Sequence, residues 1–340
     1  MVTKGFLFMT LIIGLSACGV YLEYPQPGNN IQWKLVKHND TLVYRLRKDE
    51  QSIDSVYFSE NKRIVKVPDK RNYFTMPAAD LKPGINELAL VFYVNGKKRH
   101  STERIYMVSE LTPKQHKVEN YYLLDHDEKA FTQGLLWWNK HLYESTGLVG
   151  ESSLRIINPQ TGDIVQKQCL DDKIFAEGIC IKGGQLHLLT WKDGLLYTFN
   201  DQLTELSMHP YKEEGWGLCL YNSRLVSSNG TNKLYYLNNR YQASLAVEVF
   251  NHRGPVAYLN ELETIDNYIW ANVLGSDSIV VIDPETGKVM QEIDVSACIN
   301  RHQYPNAGVL NGIAYDETTK TVYLTGKNWP FIIVWRPIFF

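Results

Sequence analysis

The sequence predicts an all-β protein, a five-bladed β-propeller preceded by a small immunoglobulin-like β-sandwich. Three observations predict it. Tyrosine and tryptophan are dense (21 and 8 residues), with Gly and Asn at short intervals, a composition that favours strands and tight turns. Residues 31–110 alternate in short apolar and polar runs. From residue 118 onwards, a polar or indole side chain recurs just ahead of a glycine and an apolar run, as in "FTQGLLW", "FAEGIC", "GWGLCLY" and "LNGIAYD".

The N-terminus reads as an export signal. Lys4 precedes an apolar stretch at residues 6–15, too short to span a bilayer. It ends in "LSAC" (15–18), which resembles a bacterial lipobox. That resemblance implies a signal peptide over residues 1–17, cleavage ahead of Cys18, lipidation of its thiol and residence in the cell envelope. An ordinary secretory signal with an incidental cysteine is the alternative. Gly19 carries no aspartate-type retention signal, which favours the outer membrane.

Residues 18–30, with "YPQPGNN", suit a lipid-anchored tether. Across residues 31–110, "QWKLV", "TLVYRLR", "SVYFSE", "RIVKV" and "NELALVFYVNGKKR" read as strands, and Asn95-Gly96 is a strong hairpin signal. This segment has no chemistry-bearing constellation, so a spacer or docking role is expected of it. "LTPKQHK" (111–117) reads as a linker.

Residues 118–340 repeat. The residues after the polar marker are Gly134, Gly178, Gly217, Leu262 and Gly312, at steps of 44, 39, 45 and 50. A period of about 40–50 residues with several strands is that of a propeller blade. "INPQTGDIV" and "IDPETGKVM" supply turns between outer strands. The last unit is short, and "NYYLLDHD" (120–127) is expected to complete it and close the ring. In a propeller the first strand of each blade lines the central channel. Gln133, Glu177, Trp216, Asn260 with Glu261, and Asn311 would then converge. Hydrogen bonding between blades is the alternative role for Gln133 and Asn311.

Charge excludes some functions. The formal net charge of -2 provides no overall attraction to nucleic acid or an acidic membrane. Cys169, Cys180, Cys219 and Cys298 show no metal-knot spacing. Cys180 and Cys219 fall at matching positions of neighbouring units; buried free thiols are the simpler reading, a disulfide the other.

"AFTQGL", "YESTGLVGESSLR", "FAEGI", "GWGL", "SNGT", "LNELE", "IWANV", "VLNGIAYD" and "TGKNWP" occur in this order. Together they closely resemble the plant-type glutaminyl-peptide cyclotransferases, which also have bacterial members. The resemblance covers the expected propeller and none of the sandwich. It implies a five-bladed propeller that cyclises N-terminal glutamine of peptides and proteins to 5-oxoproline, releasing ammonia. On matching positions it implies Glu177 as acid/base, with Lys327 and Asn260 as catalytic donors. Gln133, Trp191 and Trp216 would bind the glutamine. Glu177, between Phe175 and Ile179, suits a carboxyl whose pKa is raised by apolar walls; satisfaction by backbone amides or a basic neighbour is the alternative. Glu144 and Arg155 are expected to pair structurally across strands.

No cofactor is implied for catalysis and no metal-ligating residue is specified, although a structural cation in the channel is compatible with the family. Leu274 stands where the family tends to carry a tryptophan, and Asn229 where an aspartate is usual. These departures favour the alternative function, a non-catalytic lipoprotein propeller that binds peptides or cell-envelope partners. A calcium-dependent lactone hydrolase fits poorly, because Lys327 would repel a divalent cation.

Overall fold

The computed structural model describes residues 20–23, 34–46, 52–58, 64–66, 73–94 and 97–338. The expected signal peptide and the expected lipidation site, Cys18, lie outside these residues. The described chain is all-β, made of many small sheets, with only two short 3-10 turns, Ala78–Asp80 and Ser296–Cys298. It divides into two units, one of residues up to Glu110 with His252–Gly254, the other of the remainder.

The N-terminal unit holds a three-stranded and a five-stranded sheet. Its longest strands, Gly84–Val94 and Lys97–Met107, pair antiparallel with Val94 opposite Lys97. That register brackets the expected hairpin turn, whose two residues lie outside those described. Lys34–Val36 adds in parallel to Lys97–Met107. Two strands here were not anticipated. Tyr73–Pro77 pairs with Thr41–Leu46, and so does Val20–Glu23, four residues expected in the tether.

The second unit contains five sheets of one plan, four antiparallel strands each, with a further strand added to the fourth sheet. The first runs Thr132–Trp138, His141–Thr146, Ser153–Ile157 and Ile164–Cys169. The second runs Ala176–Lys182 to Glu205–Pro210, the third Leu218–Tyr221 to Ala243–Glu248, and the fourth Leu259–Ile265 to Val289–Asp294. The fifth has only three consecutive strands, Leu310–Asp316, Thr321–Gly326 and Phe331–Trp335, and Tyr122–Asp125 completes it by pairing with Phe331–Trp335. The segment expected to close the last unit therefore does so. The linker expected over residues 111–117 is different in its second half. Lys114–Lys117 pairs in parallel with Val289–Asp294, and Gln115 Nε2 donates to Glu292 Oε2 at 3.0 Å, so an exposed sheet edge is covered.

Burial grades from inner to outer strands. The first strand of the first sheet is mostly buried, while its last, Ile164–Cys169, is almost wholly exposed. Apolar clusters fill the spaces between consecutive sheets. Leu136, Tyr143 and Leu154 of the first pack with Ile179, Leu186 and Tyr197 of the second. Leu135, Leu142 and Ile157 of the first also pack with Ala314, Tyr323 and Ile332 of the fifth, which closes the series on itself. Each fully buried aliphatic side chain contributes on the order of 1.5–3 kcal/mol.

The recurring glycines are explained by close approach. A Cβ on Gly134 would lie 2.8 Å from the Ile179 nitrogen, one on Gly178 2.6 Å from the Trp216 carbonyl oxygen, and one on Gly217 2.0 Å from that of Asn260. Each glycine lets one innermost strand press against the backbone of the next. All four cysteines of the second unit are free thiols, Cys180 and Cys219 buried.

Candidate active site

The polar markers sit in β-bulges. Strand register slips between Thr132 and Gly134, Ala176 and Ile179, Leu259 and Leu262, and Leu310 and Ile313. The skipped residues include Gln133, Glu177, Asn260 with Glu261, and Asn311. A bulge frees a residue from the regular in-out alternation and re-aims its side chain. Four of the five expected markers are thus set apart by the same device; Trp216 lies just ahead of its strand.

Glu177 is 4% exposed. Gln133 Nε2 donates to its Oε1 at 3.0 Å. The orientation of the Gln133 amide follows from its neighbour. Asn311 Nδ2 donates both to the Thr132 carbonyl (3.1 Å) and to Gln133 Oε1 (3.2 Å). A backbone carbonyl accepts only, so the Asn311 nitrogen must face it, and Gln133 must then turn its own nitrogen to Glu177. Asn311 and Gln133 therefore do bond between sheets, and they also position the acid.

Burial raises the Glu177 carboxyl well above its ordinary range; the Lys327 ammonium opposes this and the Glu214 charge adds to it. Burial likewise lowers Lys327, against the pull of Glu177. The two groups form no contact ion pair among the described residues, so the acid is not locked in a salt bridge. Lys327 follows the Thr321–Gly326 strand. Its backbone is held by Lys327 N–H to Val309 O (2.9 Å) and Gly308 N–H to Lys327 O (2.7 Å), and its ammonium lies 4.6 Å from the centre of the Phe131 ring. Phe131 meets Phe175 edge-on at 6.3 Å, and Phe175 packs against Trp191 at 5.3 Å. These rings form a continuous aromatic row that runs from Lys327 to Trp191.

Trp191 and Trp216 are half-buried, and their indole nitrogens donate to one atom, Glu214 Oε1, that of Trp216 at 3.1 Å. Trp216 lies against Gly230, where a Cβ would meet its ring at 2.6 Å. Asn260 is buried beside Gly217. Its carbonyl accepts from Ser228 Oγ at 2.6 Å, while its side-chain oxygen is buried with no donor. It makes no hydrogen bond to Glu177 or Lys327. The six expected residues thus fall into the linked pair Gln133–Glu177 with Lys327 nearby, the pair Trp191–Trp216, and Asn260 one strand further on.

Glu261 is 1% exposed, and its carboxylate accepts backbone N–H groups from Leu135 (3.5 Å) and Ile313 (2.9 Å). It bonds the fourth sheet to the first and the fifth. Its oxygens are so engaged, and among the described residues no three His, Cys, Asp or Glu side chains converge.

Leu274 is half-buried and donates its N–H to Tyr258 O at 2.9 Å. Asn229 Oδ1 accepts from Thr231 N–H and Oγ1 (3.3 and 2.7 Å), a turn for which an amide oxygen serves as well as a carboxylate. Glu144 and Arg155 stand opposite each other on adjacent strands, 3.5 Å apart, as expected. His126 was not anticipated. Its Nδ1 donates to Trp329 O (2.8 Å) and its Nε2 meets Glu144 (3.0 Å). Glu214 was also missed; "EEGWGL" marks it only as a charge beside a glycine.

A curated Arabidopsis thaliana protein named glutaminyl-peptide cyclotransferase is 35% identical over 230 residues, covering 65% of this chain and 71% of that one. The crystal structure of Myxococcus xanthus glutaminyl cyclase aligns with a TM-score of 0.61 and 35% identity, over 65% of this chain and 97% of that one. Residues 90–335 match the family described as glutamine cyclotransferase, a match that begins inside the Gly84–Val94 strand rather than after the N-terminal unit. This chain, with its bulged glutamate and bridged indoles, belongs to the glutamine cyclotransferase family.

Proposed function

We propose that this protein cyclises N-terminal glutamine of peptides and proteins to 5-oxoproline and releases ammonia. The observation that carries the reading is Glu177, a buried carboxyl oriented by Gln133 and in no contact ion pair among the described residues.

Nucleophile and electrophile belong to one residue. The α-amine attacks the side-chain amide carbon, a new C–N bond closes a five-membered ring, and the old C–N bond breaks. A well-oriented intramolecular attack has a large effective molarity, so proton management is the remaining task. Free α-amines titrate near about 8, so much of the substrate arrives protonated. The amine gives up its extra proton to solvent; as the ring C–N bond forms, ionised Glu177 takes a second proton from the attacking nitrogen and delivers it to the departing nitrogen, which leaves as ammonia. A raised carboxyl pKa suits both roles. Lys327 and Asn260 supply positive charge and an amide donor for the oxygen that becomes negative in the tetrahedral intermediate. Trp191 and Trp216 hold the glutamine side chain and exclude water.

The five four-stranded sheets are read as blades of a propeller, and the N-terminal unit as an immunoglobulin-like sandwich over residues 31–110. Lipidation at Cys18 and residence at the outer membrane rest on the "LSAC" sequence. Loss of lipid labelling in Cys18→Ser tests that anchor.

The reaction itself is tested by incubating the protein with a peptide that begins with glutamine and with the same peptide beginning with asparagine. Mass loss equal to one ammonia, in the first peptide only, is expected. An unchanged glutamine peptide that nonetheless binds selects the non-catalytic peptide-binding reading, which the Leu274 departure favours.

A further inference from the structure

The Trp191 and Trp216 indoles come from different sheets, one after Gln185–Thr190 and the other ahead of Leu218–Tyr221. Separate indole walls would each be free to rotate, yet both N–H groups point to one acceptor, Glu214 Oε1. We propose that Glu214 is a positioning residue of this site, its carboxylate tying the two indoles into a single wall of the glutamine pocket. The proposal rests on the reaction assigned above and adds a residue to it.

Local structure places Glu214 there. Gly215 follows it, and a Cβ on Gly215 would lie 2.6 Å from the Thr190 carbonyl oxygen. Gly215 N–H donates to Trp191 O at 3.1 Å, and Tyr211 N–H to Gly194 O at 2.8 Å. The segment carrying Glu214 is therefore pinned at both ends against the strand end that carries Trp191. An indole N–H is a donor with no acceptor role, so a shared carboxylate satisfies both rings. One bridging anion then fixes the two rings relative to each other, so that they offer one surface to a flat amide.

The carboxylate also acts at a distance. Charged groups that bias Glu177 are Lys327, from the fifth sheet, and Glu214, with opposite signs; Gln133, from the first, is neutral. Around Glu214 itself lie Glu213 and Lys212 in sequence, and Lys192, whose ammonium sits 4.0 Å from the Trp191 ring centre. Asp193, nearby, accepts the Phe175 N–H at 3.3 Å. A negative charge beside an acid holds its proton more tightly, so loss of the Glu214 charge makes Glu177 a stronger acid.

The test compares full-length wild type, Glu214→Gln and Glu214→Ala. Indole nitrogens are labelled, Trp191 and Trp216 resonances are assigned with single Phe substitutions, and their shifts are read without any turnover. Both resonances are expected to move in Glu214→Ala. On a glutamine-initiated peptide, Glu214→Ala is expected to raise KM about tenfold, as two indole positions are released. Glu214→Gln retains an acceptor oxygen, so its KM should stay within about threefold, while the acid limb of kcat/KM shifts to lower pH. Indole resonances unmoved in Glu214→Ala, or a Glu214→Gln pH profile that superimposes on wild type, overturn the proposal. Wild type that releases no ammonia defeats the reaction assignment instead, and the indole shifts still decide whether Glu214 holds the wall.

Discussion

Gln133 Nε2 lies 3.0 Å from Glu177 Oε1, and its orientation is dictated by Asn311 on a third innermost strand. The acid is thereby held from one side by a donor that cannot reverse, and no hydrogen bond to Glu177 Oε2 forms among the described residues. Asn311→Leu removes the group that forbids a Gln133 flip. A fall of about tenfold in kcat with KM within about twofold is expected from losing one oriented hydrogen bond at the acid. Steady-state kinetics check it, with a thermal melt to show that the fold persists.

Lys327 and Glu214 act on Glu177 in opposite senses, so their neutral variants should move its titration in opposite directions. The Lys327 ammonium favours ionised Glu177. Lys327→Met therefore raises the carboxyl pKa further, and the acid limb of the kcat/KM profile shifts to higher pH. A drop of about 10²-fold in the plateau is expected as well, if the ammonium also stabilises the oxyanion. A pH–rate profile of the variant measures both effects.

The ring closure has its own ionic lock. His126, just past Tyr122–Asp125, bonds Glu144 of the first sheet and the carbonyl of Trp329 near the fifth. Burial lowers His126, but Glu144 and the Trp329 carbonyl outweigh it and the net shift is upward. Burial raises Glu144, yet His126, Arg155 and Thr132 bring it below its ordinary value. The His126 contribution is fully present below its ordinary 6.5 and is lost as pH rises through its raised folded value. The Glu144 contribution is present above 4.5 and is lost as pH falls through its depressed folded value. His126→Ala should cost about 3–5 kcal/mol in mild acid, because it leaves a buried carboxylate short of a partner. The deficit shrinks on the alkaline side, and denaturant melts at two pH values measure it.

The marker glycines make a packing prediction. In Gly217→Ala the new Cβ would stand 2.0 Å from the Asn260 carbonyl oxygen, a backbone atom that cannot step aside. Failure to fold, or a loss of more than about 4 kcal/mol, is expected. Gly183 is left-handed (φ 60°) but has open space around its Cβ, so Gly183→Asn should cost less than about 1 kcal/mol. Paired melting curves test the contrast.

Much of this was legible because close packing of backbones demands glycine, and a costly buried polar residue leaves a mark in an apolar run. Gln133, Glu177 and Asn311 each carry that double signature and Asn260 only its polar half, although neither says anything of the bulges that re-aim them. The closing strand was readable from a unit one strand short. Lys114–Lys117 was not, since four polar residues covering a sheet edge carry no apolar alternation. Glu214 and His126 escaped for a different reason. Their partners are an indole 23 residues away and a carbonyl 203 residues away, and no local pattern encodes such distances.

The most direct measurement is the rate of ammonia release from a glutamine-initiated peptide by wild type and by Glu177→Gln, at one pH and with chelator present. Wild type that turns over in chelator, beside a variant slowed by about 10³-fold with its fold intact, is the expected result for loss of the acid/base group. A Glu177→Gln enzyme within a few-fold of wild type would contradict the account.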